Sequence, residues 1–203
     1  MGTIHIKHLK QIKSLYNEGY SLREIGEKLG YSIHAVFYFF RKQEIKRRSA
    51  RETNSFIYQR KPTSFKVKES LSPEEEILKT AGIMLYWAEG SKYKGESKID
   101  FANSDPKMIS LFMVFLRNIC GVEETKLRVY TYCFVNQDIN ELLSFWSNLT
   151  NIPKEQFTKP YVRQEFKESK KDKMKYGLIH IRYNDKKLFL LIMDWIKQFT
   201  EKY

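Results

Sequence analysis

Residues 72–91, SPEEEILKTAGIMLYWAEGS, decide how this chain folds. Ser72 followed by Pro73 reads as a helix start. Proline's fixed φ suits the first helical position, where an amide hydrogen would have no partner inside the helix. Glu74, Glu75 and Glu76 then face the positive end of the helix dipole. From Ala81 to Ala88 the segment is apolar almost all round, which predicts a buried helix at the centre of a domain or in a subunit interface. It ends in Glu89-Gly90-Ser91. A carboxylate at the tip of an apolar helix needs a metal ion or a cation, because an uncompensated charge away from water is costly.

Working outward, residues 97–102 (SKIDFA) alternate as a strand, and Asn103-Ser104-Asp105-Pro106 caps the next helix. That helix carries Met108, Ile109, Phe112, Met113, Phe115 and Leu116, and Gly121 stops it. Residues 127–134 (LRVYTYCF) alternate as a second strand. Asp138 to Glu141 has the form of a capping box, opening a helix with Leu142, Leu143, Trp146 and Leu149. Residues 157–166 and 176–183 read as strands three and four. The lysine-rich turn at 167–175 (KESKKDKMK) joins them in an expected hairpin. Leu188, Leu191, Ile192, Trp195, Ile196 and Phe199 give the chain a final amphipathic helix. This order predicts an α+β domain with helices on one face of a largely antiparallel sheet.

Alternation assigns the two faces of that sheet. Ile99, Phe101, Val129, Val162, Ile179 and Ile181 point to the core. Lys98, Asp100, Arg128, Tyr130, Tyr132, Lys159, Tyr161, Arg163, His180 and Arg182 share the other side. Such a face fits a duplex groove, with cations toward phosphates and aromatic rings adding contact. Basic sheet faces also serve RNA, and an ordinary solvated face has the same pattern.

Residues 82–91 (GIMLYWAEGS), followed by 98–106 (KIDFANSDP), resemble the LAGLIDADG homing-endonuclease family, with most similarity to single-motif members that carry an N-terminal helix-turn-helix. The resemblance spans about residues 74–200. It implies an antiparallel saddle sheet with helices on one face, and a homodimer in which the motif helix packs against its twin through Gly82, Leu85 and Ala88. It further implies double-stranded DNA as substrate and Glu89 as both the catalytic acid and the ligand of Mg²⁺ or another divalent cation. Lys98 is the nearest basic helper, and Lys92 and Lys94 would meet DNA beside it. Met84 stands where the family has a small residue. Relatives that have lost cleavage act as transcriptional regulators, so a non-catalytic DNA-binding regulator is the alternative.

The first part of the chain reads differently. Ile12, Leu15 and Tyr16 fall at helical spacing before Gly19, Ser21-Leu22-Arg23-Glu24 is a capping box, and Gly30 allows a tight turn before Ser32 caps a third helix. Residues 19–36 (GYSLREIGEKLGYSIHAV) resemble the helix-turn-helix of resolvases, transposases and bacterial repressors. That resemblance places the third helix in the major groove, presenting Ser32, Ile33, His34, Phe37, Tyr38, Arg41 and Lys42 while Val36 and Phe40 pack inward. The apolar residues on its outer face also suit an interaction helix. Residues 46–68 (KRRSARETNSFIYQRKPTSFKVK) lack helical periodicity, and 46–72 are expected to form a basic linker. Its Arg47 and Arg48 would lie along phosphates. The expected division is therefore 1–45, 46–72 and 73–203.

Composition narrows the partners. The chain has 203 residues and a formal charge of +12. Residues 1–72 hold 15 Lys and Arg against 6 Asp and Glu, whereas residues 73–203 hold 21 against 18. Most of the excess thus sits on the shorter, N-terminal part, as expected of a module for polyanions. Two cysteines, Cys120 and Cys133, make neither a disulfide framework nor a zinc half-site. No apolar run reaches the roughly 20 residues needed to cross a bilayer, and residues 1–10 (MGTIHIKHLK) carry charge where a secretory signal would be apolar. The expected place is the cytoplasm, associated with the nucleoid and not with a membrane.

Overall fold

A computed structural model describes residues 4–93, 95–164 and 174–202. The chain forms two compact units, residues 1–62 and 63–203. No described helix is long and apolar enough to cross a membrane.

The first unit is helical: α1 (Leu9–Asn17), α2 (Leu22–Leu29), α3 (Ile33–Lys42) and α4 (Ala50–Arg60). Ile12, Ile25, Val36, Phe39 and Phe40 make its core. The Ser21–Glu24 capping box starts α2, with Glu24 N–H donating to Ser21 Oγ at 3.2 Å and Ser21 N–H to Glu24 Oε2 at 2.7 Å. Gly30 ends α2 at φ 73°, a left-handed conformation that glycine adopts without steric cost. Two residues later Ser32 caps α3 through the Ala35 amide.

Residues 46–72 do not form a linker. Ser49 and Glu52 make a capping box that starts α4, and the Phe56 ring sits where a side chain at Gly19 would lie. Arg60 pairs with Glu24 at 2.8 Å and stacks over Tyr20. This helix has no apolar stripe to betray it, because the Phe56 ring, Arg60 and, just before the helix, Arg48 anchor it. The remainder, from residue 63, belongs to the second unit. Lys66 and Lys68 donate their amides to the carbonyls of Gly121 and Ile119, both at 3.0 Å.

The second unit contains α5 (Pro73–Glu89), β1 (Ile99–Asn103), α6 (Pro106–Asn118), β2 (Leu127–Phe134), α7 (Ile139–Thr150), β3 (Tyr161–Arg163), β4 (Leu178–Tyr183) and α8 (Lys186–Thr200). This is an α+β architecture with a mixed sheet ordered β1-β4-β2-β3. β4 pairs antiparallel with β1 and with β2, whereas β3 runs parallel to β2 at the edge. The expected hairpin between the third and fourth strands is therefore absent, and the sheet is not antiparallel throughout. A parallel pair needs a crossover of a dozen or more residues, and the segment containing α7 supplies it. The third strand is also shorter than expected. Residues 165–173, holding Phe166 and most of the lysine-rich turn, lie outside the described residues.

The inner residues Ile99, Phe101, Leu127, Val129, Ile179, Ile181 and Tyr183 are fully buried and share one core with residues of α5 to α8. Val162 is half-buried and Thr131, though polar, points inward. α5 departs from expectation. It buries Gly82, Ile83 and Tyr86, but Ile77, Trp87, Ala88 and Glu89 are exposed. A Cβ at Gly82 would fall on the Phe115 ring of α6, so this glycine allows close approach within the chain and is not free for a dimer interface. Leu85 is half-buried against the same core, leaving Ala88 as the one solvent-exposed member of the expected interface trio.

Candidate nucleic-acid interface

The register of the ladder assembles the open face of the sheet in rows. Asp100, Arg182 and Arg128 lie opposite one another across β1, β4 and β2; the next row is Ala102, His180 and Tyr130; the next is Leu178, Tyr132 and Tyr161. Alternation in the sequence grouped these side chains correctly. It did not show that Asp100 organises them. Asp100 is 8% exposed, and its carboxylate accepts from Arg182 Nε at 2.7 Å, with His180 Nδ1 also at 2.7 Å. Burial raises the pKa of Asp100, but the His180 hydrogen bond and charge, together with Arg182, outweigh it and hold the carboxyl below its usual range.

Around this group stand the rings. Arg182 lies over Tyr130, 4.8 Å from the ring centroid. Tyr130 and Tyr132 are 5.0 Å apart, Tyr132 and Tyr161 are also 5.0 Å apart, and His180 is 5.5 Å from Tyr132. Lost hydration, then the neighbouring Tyr132, pushes the Tyr130 hydroxyl above the ordinary phenol range. Arg128 donates to the carbonyls of Thr125 and Leu127, both at 2.7 Å. Lys159 and Arg163 are exposed toward the β3 edge.

The tip of α5 is tied down by its neighbours. Gly90 bridges to Phe101 and Ser91 donates its amide to the Asp100 carbonyl at 2.8 Å, so the residues just past the helix end are hydrogen-bonded to β1. The Tyr86 hydroxyl donates to the Ser91 carbonyl at 2.8 Å, and burial raises its pKa. Glu96, 3% exposed, accepts from the Ser91 hydroxyl and the Ser97 amide. Its burial gave no signal in the sequence.

Glu89 is exposed and has no hydrogen-bond or ion-pair partner among the described residues. Lys98 is half-buried and makes no ion pair with it. Lys92 is the amine fixed at this helix end, donating to the Gly90 carbonyl at 2.6 Å and reaching the Tyr86 carbonyl at 3.5 Å. Lys94 lies outside the described residues. For a divalent metal ion the fit of one chain is incomplete. Among the described residues no three His, Cys, Asp or Glu side chains gather as a ligand group, and Asp100 and Glu96 are already engaged. Among the described residues at this helix tip, Glu89 is the carboxylate left unengaged.

On α3 the outward set is as the spacing predicts. Ile33, His34, Phe37, Tyr38, Arg41 and Lys42 are exposed, while Val36, Phe39 and Phe40 are buried. Arg47 stacks over Phe37 at 4.3 Å, extending that surface. Arg48 is different. Its guanidinium lies 3.9 Å from the Tyr16 ring centroid and 4.5 Å from that of Phe56, and one nitrogen donates to the Tyr16 and Tyr20 carbonyls at 2.9 and 2.7 Å. Expected to lie along phosphates, it instead clamps α1 to the start of α4. Ser32 likewise spends its hydroxyl as the α3 cap. No family model, no curated protein and no solved structure matches the chain.

Proposed function

We propose that this chain binds double-stranded DNA, with α3 entering the major groove as the second helix of a helix-turn-helix and the open sheet face serving as a second contact surface. One observation carries the reading. A short helix capped by Ser32 turns Ile33, His34, Phe37, Tyr38, Arg41 and Lys42 outward, on the part of the chain holding 15 basic against 6 acidic residues. Aromatic and cationic side chains on an exposed helix suit groove contact, while the surrounding basic surface supplies attraction to phosphates.

Within that reading, the chain acts as a homing-type endonuclease in a homodimer, Glu89 being its candidate acid for phosphodiester hydrolysis with Mg²⁺. The exposed Ile77, Trp87 and Ala88 on α5 suit contact with a second copy. A regulator without cleavage is the second reading, and it is favoured by the isolation of Glu89, which gathers no cluster of acid ligands among the described residues. Duplex DNA incubated with Mg²⁺ and either wild type or Glu89→Gln separates the two. Cutting by wild type alone, with both proteins bound, supports the nuclease; binding without cutting supports the regulator. Absence of duplex binding by wild type sinks both.

A further inference from the structure

The open face of the sheet is better furnished for stacking than for gripping phosphate. Its central cations are committed to the protein. Arg182 and His180 share the Asp100 carboxylate, and Arg128 donates to two main-chain carbonyls. The unit that carries the face holds 21 basic against 18 acidic residues outside its first ten positions, so long-range attraction there is weak.

What the face presents instead is a run of rings. From Tyr130 through Tyr132 to Tyr161 each step between centroids is 5.0 Å. The run crosses from β2 to the β3 edge and ends on Tyr161, which is 51% exposed. Arg182, planar and oriented by Asp100, covers the inner end. In an intact duplex each base is covered above and below by its neighbours, and a protein reaches edges, sugars and phosphates. Aromatic side chains meet the faces of bases when those bases are unpaired or splayed out.

Resting on the nucleic-acid reading above, we propose that the face formed by β4, β2 and β3 takes unpaired bases, stacked on Tyr161 and Tyr132, from a single strand or from an opened stretch of duplex. The rings do not distinguish deoxyribose from ribose, so DNA and RNA strands are tested side by side.

The experiment measures fluorescence anisotropy of the full chain with short labelled single strands of DNA and of RNA, and with a duplex of the same sequence. Tyr161→Ala, at an exposed position, leaves the core untouched, and thermal melting verifies that. It is expected to weaken binding of at least one strand roughly tenfold, to weaken duplex binding by a clearly smaller factor, and to be reversed by Tyr161→Phe, which keeps the ring. Unchanged strand affinity in Tyr161→Ala overturns the proposal. Equal loss on strand and duplex does so too, as does a failure of Tyr161→Phe to restore binding, since that would assign the effect to the hydroxyl. If wild type binds duplex but neither strand, this inference falls and the duplex reading stands; if it binds nothing, both fall.

Discussion

The outer face of α3 and the open face of the sheet both collect arginines and aromatic rings, yet they hold their charges in opposite ways. On α3, Arg41 and Lys42 are exposed and have no ion-pair partner among the described residues. On the sheet, Arg182 and His180 are tied to the carboxylate of the buried Asp100. Free cations attract a polyanion over a distance and are screened by salt. Tied cations give up attraction and gain a fixed direction. Net charge counts both kinds alike, so it does not separate a surface suited to attracting a polyanion from one suited to orienting it.

The sharpest way to break this contrast is to remove the free set. Replacing Arg41, Lys42 and Arg47 together by alanine should weaken duplex binding roughly a hundredfold at low salt and lower the slope of log affinity against log salt by about 2.7. A titration showing an unchanged slope would mean these residues touch no phosphate. Arg48→Ala tests the opposite expectation. Losing two ring contacts and two carbonyl hydrogen bonds should cost about 2–3 kcal/mol of stability in thermal melting, with the salt slope untouched. A flatter slope without destabilisation would return Arg48 to the phosphate-binding set.

Asp100→Asn should cost about 2 kcal/mol and, by releasing Arg182 and His180, make duplex binding more salt-dependent. If its slope became shallower, the picture of tied cations would be wrong. The smallest effect is in pH. Because the folded carboxyl titrates below its usual range, its stabilisation is complete above the ordinary carboxylate pKa, about 4, and is lost as pH falls through the lower folded value. Melting temperature should therefore drop more steeply under acid conditions in wild type than in Asp100→Asn. Superimposable acid profiles would remove Asp100 from the account.

Much of this was legible locally. The capping residues Ser21, Ser32, Ser72 and Asp105 stand where their helices begin, and period-two alternation sorted Tyr130, Tyr132, His180 and Arg182 from Val129, Ile179 and Ile181. Other features depend on partners far along the chain. α4 hid because a helix anchored by Phe56 and flanking arginines shows no apolar stripe, although Ser49 and Glu52 did carry its start signal. For β3, proximity in sequence favours a hairpin, whereas the ladder joins Tyr161 to Tyr132 beyond a helix. Asp100 looked like one more polar residue; its importance comes from Arg182 and His180, some eighty positions away. The exposure of Trp87 and Ala88 could not be read from a helix whose composition alone suggested burial.

The stretch around Ser64 settles where the second unit truly begins. Ser64 donates its amide and hydroxyl to Asp185, the residue that caps α8, and the Tyr183 hydroxyl donates to the Ser64 carbonyl. Glu123 donates its amide to that same carbonyl, and the Gly121 and Ile119 carbonyls are answered by Lys66 and Lys68. A chain excised at residue 73, where composition changes, would therefore strip a row of half-buried donors and acceptors of their mates. One excised at residue 63 would keep every one of them, and it is the protein to ask for when the sheet is to be studied alone.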